Sequence, residues 1–150
     1  LQEVNSILKT KKMKKVFLII AIVLLACSAR VFAQCDTIAS ICEKHLTQKY
    51  VSDGQQYRAL LLNKEVAEFN ATLFGGTTYR LAACTGLKDG QLEFSIFDKQ
   101  RNLLFSNIEH KNAPYWDFKL ISTLDCTIEA QLIDANVQSG CAVLLISFKQ

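Results

Sequence analysis

From Gln34 onward the sequence predicts a mainly β fold: an antiparallel β-sandwich or jelly roll of seven to eight strands, with a short helix at its N-terminal end. Three observations predict it. Apolar and polar residues alternate in short runs, the period of a strand with one buried face. Turn residues separate these runs at close, regular intervals. The single proline, Pro114, falls just before a strand run, where its missing N–H breaks no ladder hydrogen bond.

The elements follow in chain order. Ile38, Ile41, Cys42 and Leu46 recur at helical spacing, so a helix is expected over about 36–48, with Asp36 or Thr37 capping its free N–H groups. Ser52-Asp53-Gly54 is a turn signal, and a strand is expected over Gln56 to Leu62. In Val66 to Phe74 the residues Ala67, Phe69, Ala71 and Leu73 form the apolar set. After Gly75-Gly76, Tyr79, Leu81 and Ala83 share a face of the run ending at Cys84. Leu92, Phe94 and Ile96 alternate with polar neighbours, Asp98 to Asn102 turns the chain, and Leu103 to Asn107 returns it. In Tyr115 to Ile121, Trp116, Phe118 and Leu120 lie on one side and Tyr115, Asp117 and Lys119 on the other. That alternation sends Trp116 and Phe118 to the core and leaves Tyr115 outside. Cys126, Ile128, Ala130 and Leu132 are the inward set of the next run. The last, Cys141 to Phe148, is apolar on both faces and reads as a central strand.

The N-terminal region carries an address. Lys14 and Lys15 form a positive flank, Val16 to Ala26 is an unbroken apolar run of 11 residues, and Val31-Phe32-Ala33 ends a short polar exit. This is the anatomy of a secretory signal peptide over residues 13–33, too short to span a bilayer comfortably. Residues 1–12 precede the only methionine, Met13, and are set aside as an upstream extension. Cleavage after Ala33 leaves residues 34–150 as one domain. The alternative is Leu24-Leu25-Ala26-Cys27, which resembles a bacterial lipobox and would make Cys27 a lipidated N-terminus. The expected location is therefore periplasmic or extracellular, with membrane contact only through the leader or a lipidated Cys27. Six of the 17 basic residues and one of the 14 acidic ones precede Gln34, so the whole-chain charge of +3 becomes −2. No nucleic-acid partner is expected of such a balance.

Five cysteines lie beyond the leader: Cys35, Cys42, Cys84, Cys126 and Cys141. In an oxidising compartment they read as two disulfides and one cysteine left over. Cys35 and Cys42 are two turns apart on a helix, about 10 Å, and cannot bond each other there. If the last two strands form a hairpin, Cys126 and Cys141 lie opposite each other and pair, Cys84 goes to Cys35 or Cys42, and the other of those two stays free. Cys84 bonded to Cys126 or Cys141 stays open beside that scheme.

No phosphate loop, G-x-S-x-G elbow, H-E-x-x-H or C-x2-C spacing occurs. The sequence nominates no catalytic, cofactor-binding or metal-binding residue and no cofactor. His45 and His110 are the only histidines, and a thiolate paired with either would have to escape oxidation. Asp53, Asp89, Asp98, Asp117, Asp125 and Asp134 read mostly as turn residues bonding their own backbone, with calcium as the alternative. The function expected is a non-catalytic binding or accessory protein with a protein or carbohydrate ligand. The alternative is a secreted hydrolase of unknown type on the same fold.

The run Gly75 to Ser106, GGTTYRLAACTGLKDGQLEFSIFDKQRNLLFS, resembles the bacterial pre-peptidase C-terminal domain family. It shares with that family a glycine-led strand, a strand ending in Asp, a polar turn and an apolar return. The resemblance implies a secreted jelly-roll accessory domain without a catalytic motif.

Overall fold

A computed structural model describes residues 30–86, 88–134, 136 and 138–150, with side chains from Cys35 onward. The leader features at 13–29, Cys27 among them, and the upstream residues 1–12 lie outside the described residues.

A helix, α1 (Arg30–Cys42), runs into a 3₁₀ turn at Glu43–His45. Eight strands follow among the described residues: β1 (Tyr50–Leu62), β2 (Val66–Leu73), β3 (Thr78–Cys84), β4 (Leu92–Asp98), β5 (Leu103–Ser106), β6 (Tyr115–Lys119), β7 (Leu124–Leu132) and β8 (Ser139–Lys149). A second 3₁₀ turn, Asn107–His110, joins β5 to β6. All ladders are antiparallel, and they pair first strand with last: β1 with β8, β2 with β7, β3 with β6, β4 with β5. The chain is one long two-stranded ribbon. Wrapped on itself, it gives two four-stranded sheets, β1-β8-β3-β6 and β2-β7-β4-β5. This wrapped ribbon is the jelly roll, and the fold class read from the alternation is borne out.

The core lies between the sheets, where the inward residues meet: Leu81, Leu144 and Ile146 from one sheet, Leu92, Phe94 and Ile128 from the other. Asn107, like Ser147, is a wholly buried polar side chain, and the larger of the two. Its Oδ1 accepts from the Phe94 N–H at 2.9 Å, and its Nδ2 donates to the Leu92 and Ala113 carbonyls at 3.0 and 3.1 Å. It thereby satisfies backbone groups that burial would otherwise leave unpaired.

β8 is central, between β1 and β3, as its two apolar faces implied. Ala142, Leu144 and Ile146 enter the core. Val143 and Leu145, on the opposite face, join Ala82 and Cys84 of β3 under Ala39 and Cys42 of α1. The helix is therefore a third layer over part of the first sheet.

Two expectations need correction. The helix starts before Asp36 and ends at Cys42, so Asp36 is not its cap. Its carboxylate instead meets Arg58 of β1. The turn signal at Ser52-Asp53-Gly54 lies inside β1, where it forms a bulge between Ser52 and Gln56 with Gly54 at φ +82°. A glycine in the left-handed region lets the ladder absorb the extra residues and resume.

The disulfides join Cys35 to Cys141 and Cys42 to Cys84, and Cys126 is a buried free thiol. Cys84 does pair with one of the two helix cysteines, but the Cys126–Cys141 hairpin pairing is overturned, as are any bond from Cys84 to either of them and a free Cys35 or Cys42. β7 and β8 are consecutive but do not pair, because the ribbon sends them to different sheets. Cys126 points into the core and Cys141 toward α1. Cys35 and Cys42 sit in one helix, and each reaches a different strand beneath it.

Candidate functional site

α1 covers only part of the outer face of the first sheet. Along β3 that face carries Cys84, Ala82 and then Arg80. In the register Arg80 lies between Asp117 of β6 and Ser147 of β8. Buried apolar residues give way to charge where the helix stops.

Arg80 is only 9% exposed, and each side of its guanidinium is engaged. Nε donates to Asp117 Oδ1 at 2.6 Å and Nη2 to Oδ2 at 2.8 Å, a two-pronged pairing that matches the planar fork to the carboxylate. Nη1 donates to the His45 carbonyl at 2.9 Å, gripping the 3₁₀ turn. The rings of Tyr50 and Tyr115 lie 4.3 and 4.4 Å from the guanidinium carbon, within cation–π range. The Tyr50 hydroxyl donates to Asp117 Oδ2 at 2.8 Å. The Arg80 hydrogen bonds hold the Asp117 carboxyl below its ordinary range, and Asp117 in turn raises the Arg80 pKa. Burial first, and Asp117 second, push the Tyr50 hydroxyl up. The three groups thus stay charged, charged and protonated through the neutral range.

Two shallow hollows flank this cluster. One, of about 590 Å³, runs along Thr47, Lys49, Tyr50 and Lys149 to Arg80 and Asp117. The other, of about 430 Å³, lies along Ala113 to Asp117 and includes Pro114, Tyr115 and Trp116. Asp117 borders both. Tyr115, 38% exposed, stands outward, as the alternation predicts. Trp116 and Phe118 face the core but are half-buried, because β6 is an edge strand. His110 packs on Trp116 with ring centroids 4.1 Å apart.

His45 meets a carboxylate as well: its Nε2 is 3.1 Å from Asp89 Oδ1, an oxygen shared with Lys44 Nζ at 3.0 Å. This clasp fastens the 3₁₀ turn to the loop after β3. Among the described residues no thiolate accompanies it. Cys42 and Cys84 are bonded to each other, and burial pushes the Cys126 thiol up to about 11. His110 stacks on Phe105, 5.1 Å between centroids.

The turn aspartates divide by role. Asp53, Asp98 and Asp134 accept from the N–H two residues on, at 2.8, 2.9 and 2.8 Å. Asp89, Asp117 and Asp125 are ion-paired. Among the described residues no group of three or more His, Cys, Asp and Glu is placed to hold a metal ion, and no helix is long and apolar enough to cross a membrane.

Alternation placed Tyr115 and Asp117 on the outer face, but Arg80 and Tyr50 went unnoticed. The signal was present in Thr78 to Cys84. A lone arginine spaced two and four residues from buried Ala82 and Cys84 must carry a partner.

No protein-family model matches the chain, and no curated protein matches it. Among solved structures it is similar to PliG of Aeromonas hydrophila, a periplasmic lysozyme inhibitor of g-type lysozyme. The TM-score is 0.49 at 13% identity, covering 63% of this chain and 85% of that one.

Proposed function

We propose that this is an exported, non-catalytic binding protein whose ligand is another protein, engaged by the outer face of the first sheet beyond α1. Export is supported by the leader and by two disulfides, bonds that persist in oxidising compartments. The observation that carries the binding face is the Tyr50–Arg80–Tyr115 stack over Asp117, held rigid and flanked by two hollows. Tyr, Trp and Arg dominate the energetics of protein interfaces, and groups already ordered lose little entropy on docking. Lys49 and Lys149 along one hollow fit an acidic rim on the partner. Tyr115 already carries Arg80 and His45 against its ring, which favours a protein over a sugar stacked there. The accessory role implied by the Gly75–Ser106 resemblance agrees with this reading.

The test uses the exported compartment as the source of partners. Bait carrying Tyr115→Ala with Lys149→Glu should lose a stoichiometric partner that wild-type bait retains through size-exclusion chromatography. Glu68→Ala, on the outer face of the other sheet, should retain it. A partner indifferent to Tyr115 and Lys149 overturns the proposed face.

A further inference from the structure

A third concavity lies on the core side of the first sheet, between the edge strands β1 and β2. Its volume is about 480 Å³, within the roughly 300–1,000 Å³ of small-molecule sites. The floor consists of core residues: Tyr79 and Ile146, 7% and 1% exposed, and half-buried Phe148. The opening has a local cause. The bulge at Ser52 to Gln56 interrupts β1 opposite β8, and an edge bulge re-aims its strand, here beside the rim of β2. Tyr57 forms one wall, its ring edge-on to Phe69 and its hydroxyl donating to Oε1 of Gln55, another lining residue, at 2.7 Å. Phe74, 63% exposed, stands at the opposite rim, its N–H donating to the Tyr79 hydroxyl at 3.1 Å.

The charge in this cleft has one sign. Asp53 at the bulge is the ionisable carboxylate of the lining, and none of the lining residues is Lys or Arg. No ion pair among the described residues includes Asp53, whose carboxylate takes backbone N–H groups, that of Gln55 at 2.8 Å among them. Four aromatic residues, Tyr57, Phe74, Tyr79 and Phe148, share the lining with Asp53, and the faces of aromatic rings also attract positive charge. An apolar, aromatic floor beneath a carboxylate without a counter-cation is complementary to a ligand with an apolar body and a positive head.

We infer that the cleft between β1 and β2 binds a small organic cation, with its head at Asp53 and its body against Tyr57 and Phe148. The site is separate from the Arg80 face, and neither reading depends on the other.

A charge series on one ring tests it. Phenethylammonium, 2-phenylethanol and 3-phenylpropionate keep the phenyl body and change the head from cation to neutral to anion. Titration followed by amide chemical shifts should show phenethylammonium binding at least tenfold more tightly than 2-phenylethanol, with shifts centred on Gln55, Tyr57 and Phe74. 3-Phenylpropionate should bind most weakly. In Asp53→Asn, which keeps the acceptor for the Gln55 N–H, the cation's advantage should vanish while the neutral ligand still binds. Equal binding of all three, a preference for the anion, shifts centred elsewhere, an undiminished preference in Asp53→Asn or no saturable binding of phenethylammonium would each overturn the inference.

Discussion

Removing one disulfide at a time should reveal how the helix layer is held. The Cys42–Cys84 bridge spans 42 residues and Cys35–Cys141 spans 106. In the chain-entropy model, closing such loops alone stabilises by about 4 and nearly 5 kcal/mol. The loops are nested, and each bridge shortens the path the other closes. Removing either from the intact protein should therefore cost about 3–4 kcal/mol. That is a large share of a domain's usual 5–15 kcal/mol. Cys42→Ala with Cys84→Ala, and separately Cys35→Ala with Cys141→Ala, would be unfolded in urea. Both midpoints should fall. The slope should rise as well, because the effect lies in an unfolded chain freed to expand. In the chain from Gln34, unreduced protein should yield one thiol, Cys126, and only after denaturation. A loss below about 1 kcal/mol for both pairs, or a disulfide peptide containing Cys126, would refute this reasoning.

Three further outcomes follow from named contacts. Asn107→Ala leaves the Phe94 N–H and the Leu92 carbonyl without partners and should cost about 3 kcal/mol, read as a lowered denaturant midpoint. Trp116→Ala should cost about 2 kcal/mol, less than the 3–5 of a fully buried aromatic, because Trp116 is half-buried at an edge strand; wild-type fluorescence should be only partly protected from iodide. Asp117 is held below its ordinary pKa of 3.8 by Arg80, so its contribution is complete above that value and is lost as pH falls through the lower, folded-state pKa. The stability gap between wild type and Asp117→Asn should thus be constant near neutrality and shrink below about pH 4, and a gap independent of pH would contradict the pairing.

The strands were legible because their signal is local. Ala67, Phe69, Ala71 and Leu73 are the inward set of β2, and Cys126, Ile128, Ala130 and Leu132 that of β7, as the alternation gave them. Partner choice is not local. Residues 133–138 separate β7 from β8 by a span short enough for a hairpin, yet the two strands belong to different sheets, and the hairpin-based disulfide failed with it. The Ser52-Asp53-Gly54 signal failed differently. The same residues that close a turn also make a bulge, and only the flanking ladder with β8 distinguishes the two.

The extent of the helix layer, by contrast, is written into the strands beneath it. On the outer face of β8 the residues run Cys141, Val143, Leu145, Ser147, Lys149, apolar for three positions and polar for two. β3 runs oppositely through Cys84 and Ala82 to Arg80, and the register places Cys84 beside Val143, Ala82 beside Leu145 and Arg80 beside Ser147. Both strands change character on one line across the sheet. On one side of it lie the two cysteines that bond α1, and on the other lies Arg80 with its aromatic neighbours. A sheet covered end to end would keep both strands apolar, and a bare sheet would carry no cysteines there. Two fixed bridges also stop α1 from sliding over that line, since Cys35 and Cys42 bind different strands two helical turns apart. The Arg80 face therefore stays uncovered by α1 while the bridges are intact, and a partner need not displace the helix to reach it.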